Sequence, residues 1–326
     1  MISLIRKIPA AVLIAALTII GTPALHAQSH YPERPIRLIV PFPPGGGNDI
    51  LARAIQPKLA ELLGQNVIID NRAGAGGNLG MELASKAPAD SYTIVVASNQ
   101  VTINPAFQKL PFDIEKDFAS VAQVASVPMV LTVNPAVPAH TVREFIALVK
   151  TVPGKYNYST PGSGTPHHIA FEVFNHEAGV SVTHVPYKGT SPAIADLMGS
   201  QVQAAIATLS SVEPGIRSGK LRALAVTTPK RSQIVPDIPT IAETLPGFDV
   251  SIWYSVLAPA GTPRDILTRL SSAIAGTLQD PAVRERLARQ GYEISYLNAD
   301  QLDAVMKHDI ARWKKTIQDI GGIQLD

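Results

Sequence analysis

Val40-Pro41-Phe42-Pro43-Pro44-Gly45-Gly46-Gly47-Asn48-Asp49 separates two apolar patterns of different period. Before it, Ile36, Leu38, Ile39 and Val40 make a short run of β type. After it, Ile50, Leu51, Ile55, Leu59, Leu62 and Leu63 recur at roughly helical spacing. A strand that passes through prolines and three glycines into a helix start leaves backbone N–H groups pointing outward. Together with the positive end of the helix dipole, those donors form an anion cradle. The stretch therefore predicts an α/β fold and, at the same point, a place for an acidic small molecule.

Downstream the pattern continues. The helix from Asp49 is expected to stop at Gly64 and to be kinked or divided by Pro57. A strand over 67–70 runs into Asn71-Arg72-Ala73-Gly74-Ala75-Gly76-Gly77-Asn78-Leu79-Gly80 and a short helix over 81–86. A third strand over 92–97 ends in Ser98-Asn99-Gln100. Strand and helix in alternation imply a parallel sheet with right-handed crossovers. Ligands of such sheets lie beyond the carboxyl ends of the strands, where all three loops fall.

From Pro128 the architecture repeats, without a sequence period. Strands are expected over 130–133, 156–159, 182–185, 202–207 and 221–226, with Thr141-Val142-Arg143-Glu144 as a capping box. Small-residue loops follow three of them: Ser159 to His168, Pro186 to Pro192, and Thr208 to Ser211. A further strand over 250–257 leads to a helix capped by Thr262 with Pro263 at its first position. Asp280-Pro281 opens another helix that ends at Gly291. The last helix carries Leu302, Met306, Ile310, Trp313, Ile317 and Ile320 on one stripe. Lacking glycine loops, these C-terminal helices are assigned to packing against the first half. The resulting division is lobe 1 from 28–127 plus 250–326 and lobe 2 from 128–249, crossed by strands near 127–133 and 249–257.

Composition narrows the function. At 326 residues, 46% apolar and 17% charged, the chain can bury a generous core. Arg6 and Lys7 precede an apolar run from Ala10 to Ile20, and a break at Gly21–Ala24 leads to Ala27. This is the layout of a cleaved signal peptide over 1–27, too short to span a bilayer. The absence of cysteine excludes disulfides, thiol catalysis and thiolate metal sites. Net charge is only +2, and removing the two basic signal residues leaves the remainder neutral, which argues against nucleic acid. A soluble, exported, monomeric protein without a cofactor is expected.

Each candidate chemistry has a plainer rival. No glycine run fits a dinucleotide fingerprint, since Leu79 stands where the pattern needs a small residue, and no Walker lysine follows. A tight turn explains any single glycine loop equally well; several loops at strand ends favour a ligand cleft. His168, Glu172 and His176 share a helix face at i, i+4 and i+8, the basis for the alternative of an exported metal-dependent hydrolase. A face of mixed hydrogen bonds accounts for them better, while His167 at the helix start is free to touch an anion. No nucleophile elbow is present, so catalysis is not expected. Lys188 and Arg72 are the basic groups nearest the loops.

Taken together, 41–53 (PFPPGGGNDILAR), 70–80 (DNRAGAGGNLG), 185–189 (VPYKG), 219–227 (GKLRALAVT), 236–240 (PDIPT) and 257–263 (LAPAGTP) resemble the Bug family. These are the periplasmic solute-binding proteins of tripartite tricarboxylate transporters. The resemblance implies a two-lobed periplasmic-binding-protein (Venus-flytrap) fold, each lobe a mostly parallel sheet flanked by helices. It implies capture of a small organic carboxylate for membrane permease subunits, or for a sensor kinase if the chain is a sensory subunit. Carried over by position, the ligand would meet Phe42, Gly45, Gly46, Gly47, Asn48 and Asp49 on the first loop. Gly77, Asn78, Ser98 and Asn99 would complete the rim. The second lobe would supply Ser159, Thr160, Gly162, Ser163, Gly164, Thr165, His167, Tyr187, Lys188, Gly189 and Thr208. Asn48 and the His167-His168 pair depart from the residues many members carry. A β-branched residue at Gly46 is expected to abolish binding and spare the fold.

Overall fold

Apolar β-type runs punctuated by glycine loops become two sheets. The computed structural model describes residues 31–323, so the signal peptide expected over 1–27 lies outside the described residues. From Pro32 onward the described chain forms one compact unit.

The first stretch holds β1 (Ile36–Val40), α1 (Gly47–Leu63), β2 (Val67–Asn71), α2 (Asn78–Ser85), β3 (Thr93–Ser98), α3 (Gln100–Ile103) and β4 (Phe118–Val127). The middle holds β5 (Met129–Val133), α4 (Val142–Thr151), β6 (Asn157–Thr160), α5 (Pro166–Ala178), β7 (Thr183–Pro186), α6 (Thr190–Met198), β8 (Ala204–Thr208), α7 (Leu209–Arg217) and β9 (Arg222–Val226). The last stretch adds β10 (Ile252–Pro259), α8 (Arg264–Gln279), α9 (Pro281–Arg289), β11 (Glu293–Asn298) and α10 (Ala299–Asp319).

Six strands form the first sheet in the order β11-β4-β10-β3-β1-β2, and five form the second in the order β7-β6-β8-β5-β9. Both sheets are mixed rather than mostly parallel. β1 pairs parallel with β2 and β3, but β10 runs antiparallel between β3 and β4. In the second sheet β6 is parallel to β7 and β8, whereas β5 is antiparallel to β8 and β9. The strands that pass between the sheets cause this. β4 leaves the first sheet, Pro128 turns the chain, β5 enters the second, and β10 brings the chain back.

Packing follows burial. Ile39, Val95, Ala97, Trp253 and Leu257 form one core with Leu302 and Met306 of α10. A second core joins Val130, Ala205, Ala207 and Val226 to Ile194 and Leu197 of α6 and to Val212 of α7. Several expectations need correction. Pro57 lies within a single helix and does not divide it. Thr262 does not cap α8: Pro263 holds that position, and the Thr262 hydroxyl bonds Pro259 O and Ser91 Oγ instead. At the start of α4 Thr141 does accept from the Glu144 N–H, but Glu144 reaches back to the N–H of His140. On α10 the third buried member of the stripe is Asp309, which accepts from Trp253 Nε1 at 2.8 Å, while Ile310 and Ile320 are only half-buried.

Candidate functional site

The carboxyl ends of β1 and β3 in the first sheet face those of β6, β7 and β8 in the second across a cavity of about 190 Å³. The first sheet contributes Phe42, Pro43, Pro44, Gly46, Gly47 and Asn48 after β1, Ser98 at the end of β3, and Ile252 and Tyr254 of β10. The second contributes Pro161, Thr165, Pro166 and His167 after β6, Lys188 to Pro192 after β7, and Thr208 at the end of β8. The volume falls below the roughly 300–1,000 Å³ of sites for drug-sized ligands, which suits a small metabolite.

Four helices of eight residues or more begin at this cavity. Gly46, Thr165, Gly189 and Thr208 are the N-cap residues of α1, α5, α6 and α7, all four line the wall, and none makes a side-chain cap bond. Elsewhere Thr141 on α4, Asp280 on α9 and Asn298 on α10 each accept from first-turn N–H groups, whereas α2 and α8, behind Gly77 and Pro263, are also without a side-chain cap. The first N–H groups of a helix have no intrahelical acceptor and sit at the positive end of its dipole. Four such ends directed at one space favour an anion there. The charged side chains agree, since Lys188 lines the cavity and no Asp or Glu does among the described residues.

The glycine loop is braced from behind. Buried Asp49 accepts from the Gly45 N–H at 3.0 Å, Arg53 Nε at 2.9 Å and Asn71 Nδ2 at 2.9 Å. Burial alone would raise the Asp49 pKa; those partners outweigh it and hold the carboxyl below its ordinary range. Asn71 Nδ2 also donates to Phe42 O, and Asn48 Nδ2 donates to Val96 O, tying the start of α1 to β3. Gly47 is required by close approach, because a Cβ there would collide with the Tyr254 hydroxyl. The Tyr292 hydroxyl donates to Gly47 O at 2.7 Å.

Of the residues expected from sequence, Phe42, Gly46, Gly47, Asn48, Ser98, Thr165, His167, Lys188, Gly189 and Thr208 are drawn into the wall. The others stand behind or beside it, most with their polar atoms engaged. Gly45 and Asp49 bond each other. Asn78 Oδ1 accepts from Asn104, Asn99 Nδ2 donates to Ser251 O, and Ser159 Oγ donates to Ala193 O. Thr160 Oγ1 pairs with His184 Nε2, the Gly164 N–H donates to His168 Nδ1, and the Tyr187 hydroxyl donates to Asp196. Gly77 takes φ 96° and leaves room for the Gln100 amide, and Gly162 takes φ 148° beside Tyr187 O. Ser163 presents its carbonyl to Gly76. Arg72 is turned away, onto Asp70.

The structure adds Ile252 and Tyr254, which sequence reading places in an ordinary core strand. A tyrosine in an apolar run, needing a partner for its hydroxyl, is the available signal. It also adds Pro43, Pro44, Pro161, Pro166, Thr190, Ser191 and Pro192, the residues flanking the glycines.

The histidines separate into two environments. His168 is buried, stacks on His184 with ring centroids 3.9 Å apart, and is pushed down to about 3 by burial and by His184. Glu172 accepts from the Tyr158 hydroxyl at 2.5 Å, and His176 is exposed. Among the described residues no group of three His, Cys, Asp or Glu could hold a metal. His167 lines the cavity with both ring nitrogens shielded from solvent and unbonded, and burial pushes it down to about 4.

A cleft between two α/β sheets, walled by open helix N-termini, defines a solute-binding protein. The chain belongs to the tripartite tricarboxylate transporter family receptors, whose family pattern matches residues 51–322. Receptors of this family are periplasmic binding proteins. Protein BugT of Bordetella pertussis is 37% identical over 305 residues, covering 92% of this chain and 94% of BugT. Rpa4515 of R. palustris, solved with adipate, superposes with a TM-score of 0.86 at 34% identity over 90% of this chain and all of that one. MatC of Rhodopseudomonas palustris, solved with bound malate, gives a TM-score of 0.82 at 31% identity over 88% of this chain and all of that one.

Proposed function

We propose that this chain is a periplasmic receptor that captures a small organic carboxylate and presents it to the membrane permease of a tripartite tricarboxylate-type transporter, performing no chemistry on it. The observation that carries this reading is the convergence of four uncapped helix N-termini on a cavity with no acidic side chain. Adipate in Rpa4515 and malate in MatC, two neighbours above 30% identity, support the same ligand class. The apolar part of the wall, Phe42, Ile252, Tyr254 and the prolines, suits a carbon chain attached to the acid.

In this reading lobe 1 (28–127 plus 250–326) and lobe 2 (128–249) close on the ligand as a monomer. Residues 1–27 direct export and are then removed. Gly46, Gly47, Asn48, Thr165, His167, Gly189 and Thr208 contact the ligand. Asp49, Asn78, Asn99, Ser159, Thr160 and Tyr187 hold the contacting loops in place. Melting curves against a panel of di- and tricarboxylates, hydroxy acids, acidic amino acids and aromatic acids test it. An acid at a hundredfold its Kd should add about 2.7 kcal/mol of stability. A panel without any shift would remove the carboxylate from the account.

A further inference from the structure

Gly291, Tyr292 and Glu293 carry the chain from the end of α9 into β11, and each meets a different neighbour of the cavity. Gly291 takes φ 77°, and a Cβ on it would stand 3.3 Å from Ser210 N and 3.5 Å from Leu209 Cβ. Its backbone therefore lies flush against the first turn of α7, on the second-sheet side. Tyr292 is buried, its hydroxyl donates to Gly47 O at 2.7 Å, and its ring leans on Tyr254 with centroids 5.7 Å apart. Gly47 and Tyr254 both belong to the cavity wall. Glu293 Oε1 accepts from Ser232 Oγ at 2.7 Å, and the same hydroxyl accepts from the Ile234 N–H at 3.1 Å. Ser232 is buried and Ile234 packs on the core of the second sheet, which fixes the hydroxyl in place. The two halves of the molecule thus share a hydrogen bond to a carboxylate, among the stronger kinds. Neither partner lines the cavity; both border a groove of about 830 Å³. Tyr292 borders that groove as well and reaches from it to the loop at the start of α1.

We propose that Ser232 and Glu293 form a closure latch. Their hydrogen bond is made when the two halves close and broken when they open, and it keeps a measurable share of the chain closed before ligand arrives. Tyr292 ties the latch to Gly47, so closure and the placement of the α1 loop go together. The latch sets the open–closed balance, and through it the apparent affinity, without touching the ligand. This rests on the two-lobed receptor reading above and goes beyond it.

Single-molecule energy transfer between dyes on Leu83→Cys in α2 and Met198→Cys in α6 reads that balance. Both positions are exposed, and the chain has no cysteine of its own to compete for label. Without ligand, the labelled wild-type chain should show two efficiencies, one closed and one open. Ser232→Ala and Glu293→Ala should each lower the closed-to-open ratio roughly tenfold. The double variant should fall no further than either single one, since both remove the same bond. Ser232→Thr, which keeps the hydroxyl, should stay near wild type. Should Ser232→Ala fail to fold, Glu293→Ala decides alone. A ratio unchanged in Glu293→Ala, or single effects that multiply in the double variant, overturns the latch. So does a wild type that is open only and closes on addition of succinate, citrate, aspartate or benzoate, which leaves the receptor standing. A single efficiency that none of these acids shifts overturns the latch and the two-lobed receptor together.

Discussion

His167 and His168 are the second and third residues of α5 and yet do different work. His168 is locked between the Gly164 N–H and the His184 ring, whereas His167 lines the cavity with both ring nitrogens buried and unbonded. Both are held well below the ordinary histidine value of 6.5, His167 at about 4 and His168 at about 3. The unfolded chain therefore takes up these protons first as pH falls. Stability is full above pH 6.5, declines as pH drops toward 4 for His167 and 3 for His168, and is flat below for these two groups. Each contributes a loss on the order of 3 kcal/mol over its window. Urea melts between pH 4 and 7 should show this, with a visibly shallower slope in His167→Ala; identical slopes would contradict the burial of an uncharged ring. Glycines of the first loop also divide. A Cβ on Gly47 would collide with the Tyr254 hydroxyl, so Gly47→Ala should weaken binding and cost about 1–3 kcal/mol of stability. A Cβ on Gly46 would meet Pro43 O at 3.5 Å and Phe42 Cβ at 3.9 Å, ordinary contacts. The packing constraint on this loop therefore falls at Gly47, while a side chain at Gly46 is expected to act on binding and to spare the fold. That difference depends on β10 reaching the loop from more than 200 residues away, which no local pattern reveals.

Helix ends show how the chain distributes its caps. Away from the cavity, Thr141, Asp280 and Asn298 accept from first-turn donors; at the cavity α1, α5, α6 and α7 have no side-chain cap, although the Leu209 N–H of α7 donates to Pro128 O. Thr141→Ala should cost about 1 kcal/mol in a chemical melt and leave ligand affinity unchanged. Gly46 already has the extended backbone of a capping residue, φ −81° and ψ 167°. Gly46→Asp should therefore keep or slightly raise stability, by a few tenths of a kcal/mol, while reducing affinity for any anion a hundredfold or more. Unchanged affinity in that variant would remove α1 from the binding surface. The elements that sequence reading found were those with strong punctuation, such as β1 before the glycines and α9 after Asp280-Pro281. β4 was missed because its Ala- and Ser-rich run is buried nearly throughout, between β10 and β11, and so shows no alternation. β11 was missed for the opposite reason, as a half-exposed edge strand beside the long pattern of α10.

Across the molecule, the walls of the cavity meet at several points. A Cβ on Gly189 would stand 3.7 Å from Pro43, and one on Gly76 would stand 3.2 Å from Ser163 O. Ser232 Oγ donates to Glu293 Oε1 at 2.7 Å, linking the segment after β9 to the edge of the first sheet. The α/β character and the loops that carry the site were legible in the sequence because glycine and proline mark strand ends. The mixed direction of the sheets was not, since it depends on where β4, β5 and β10 insert among strands distant in sequence. The sequence motifs likewise pointed to loops that border the cavity without telling which side chains line it: Tyr187, with its hydroxyl on Asp196, looks as available in sequence as His167. The central claim concerns charge held by backbone rather than by an ion pair, and one calorimetric comparison addresses it. The acid that stabilises the protein most is titrated beside the same molecule with each carboxylate converted to its uncharged primary amide. The acid should bind one to one, and the amide at least a hundredfold more weakly, since open helix N-termini favour an anion over a neutral carbonyl. Equal affinity for acid and amide would contradict the account.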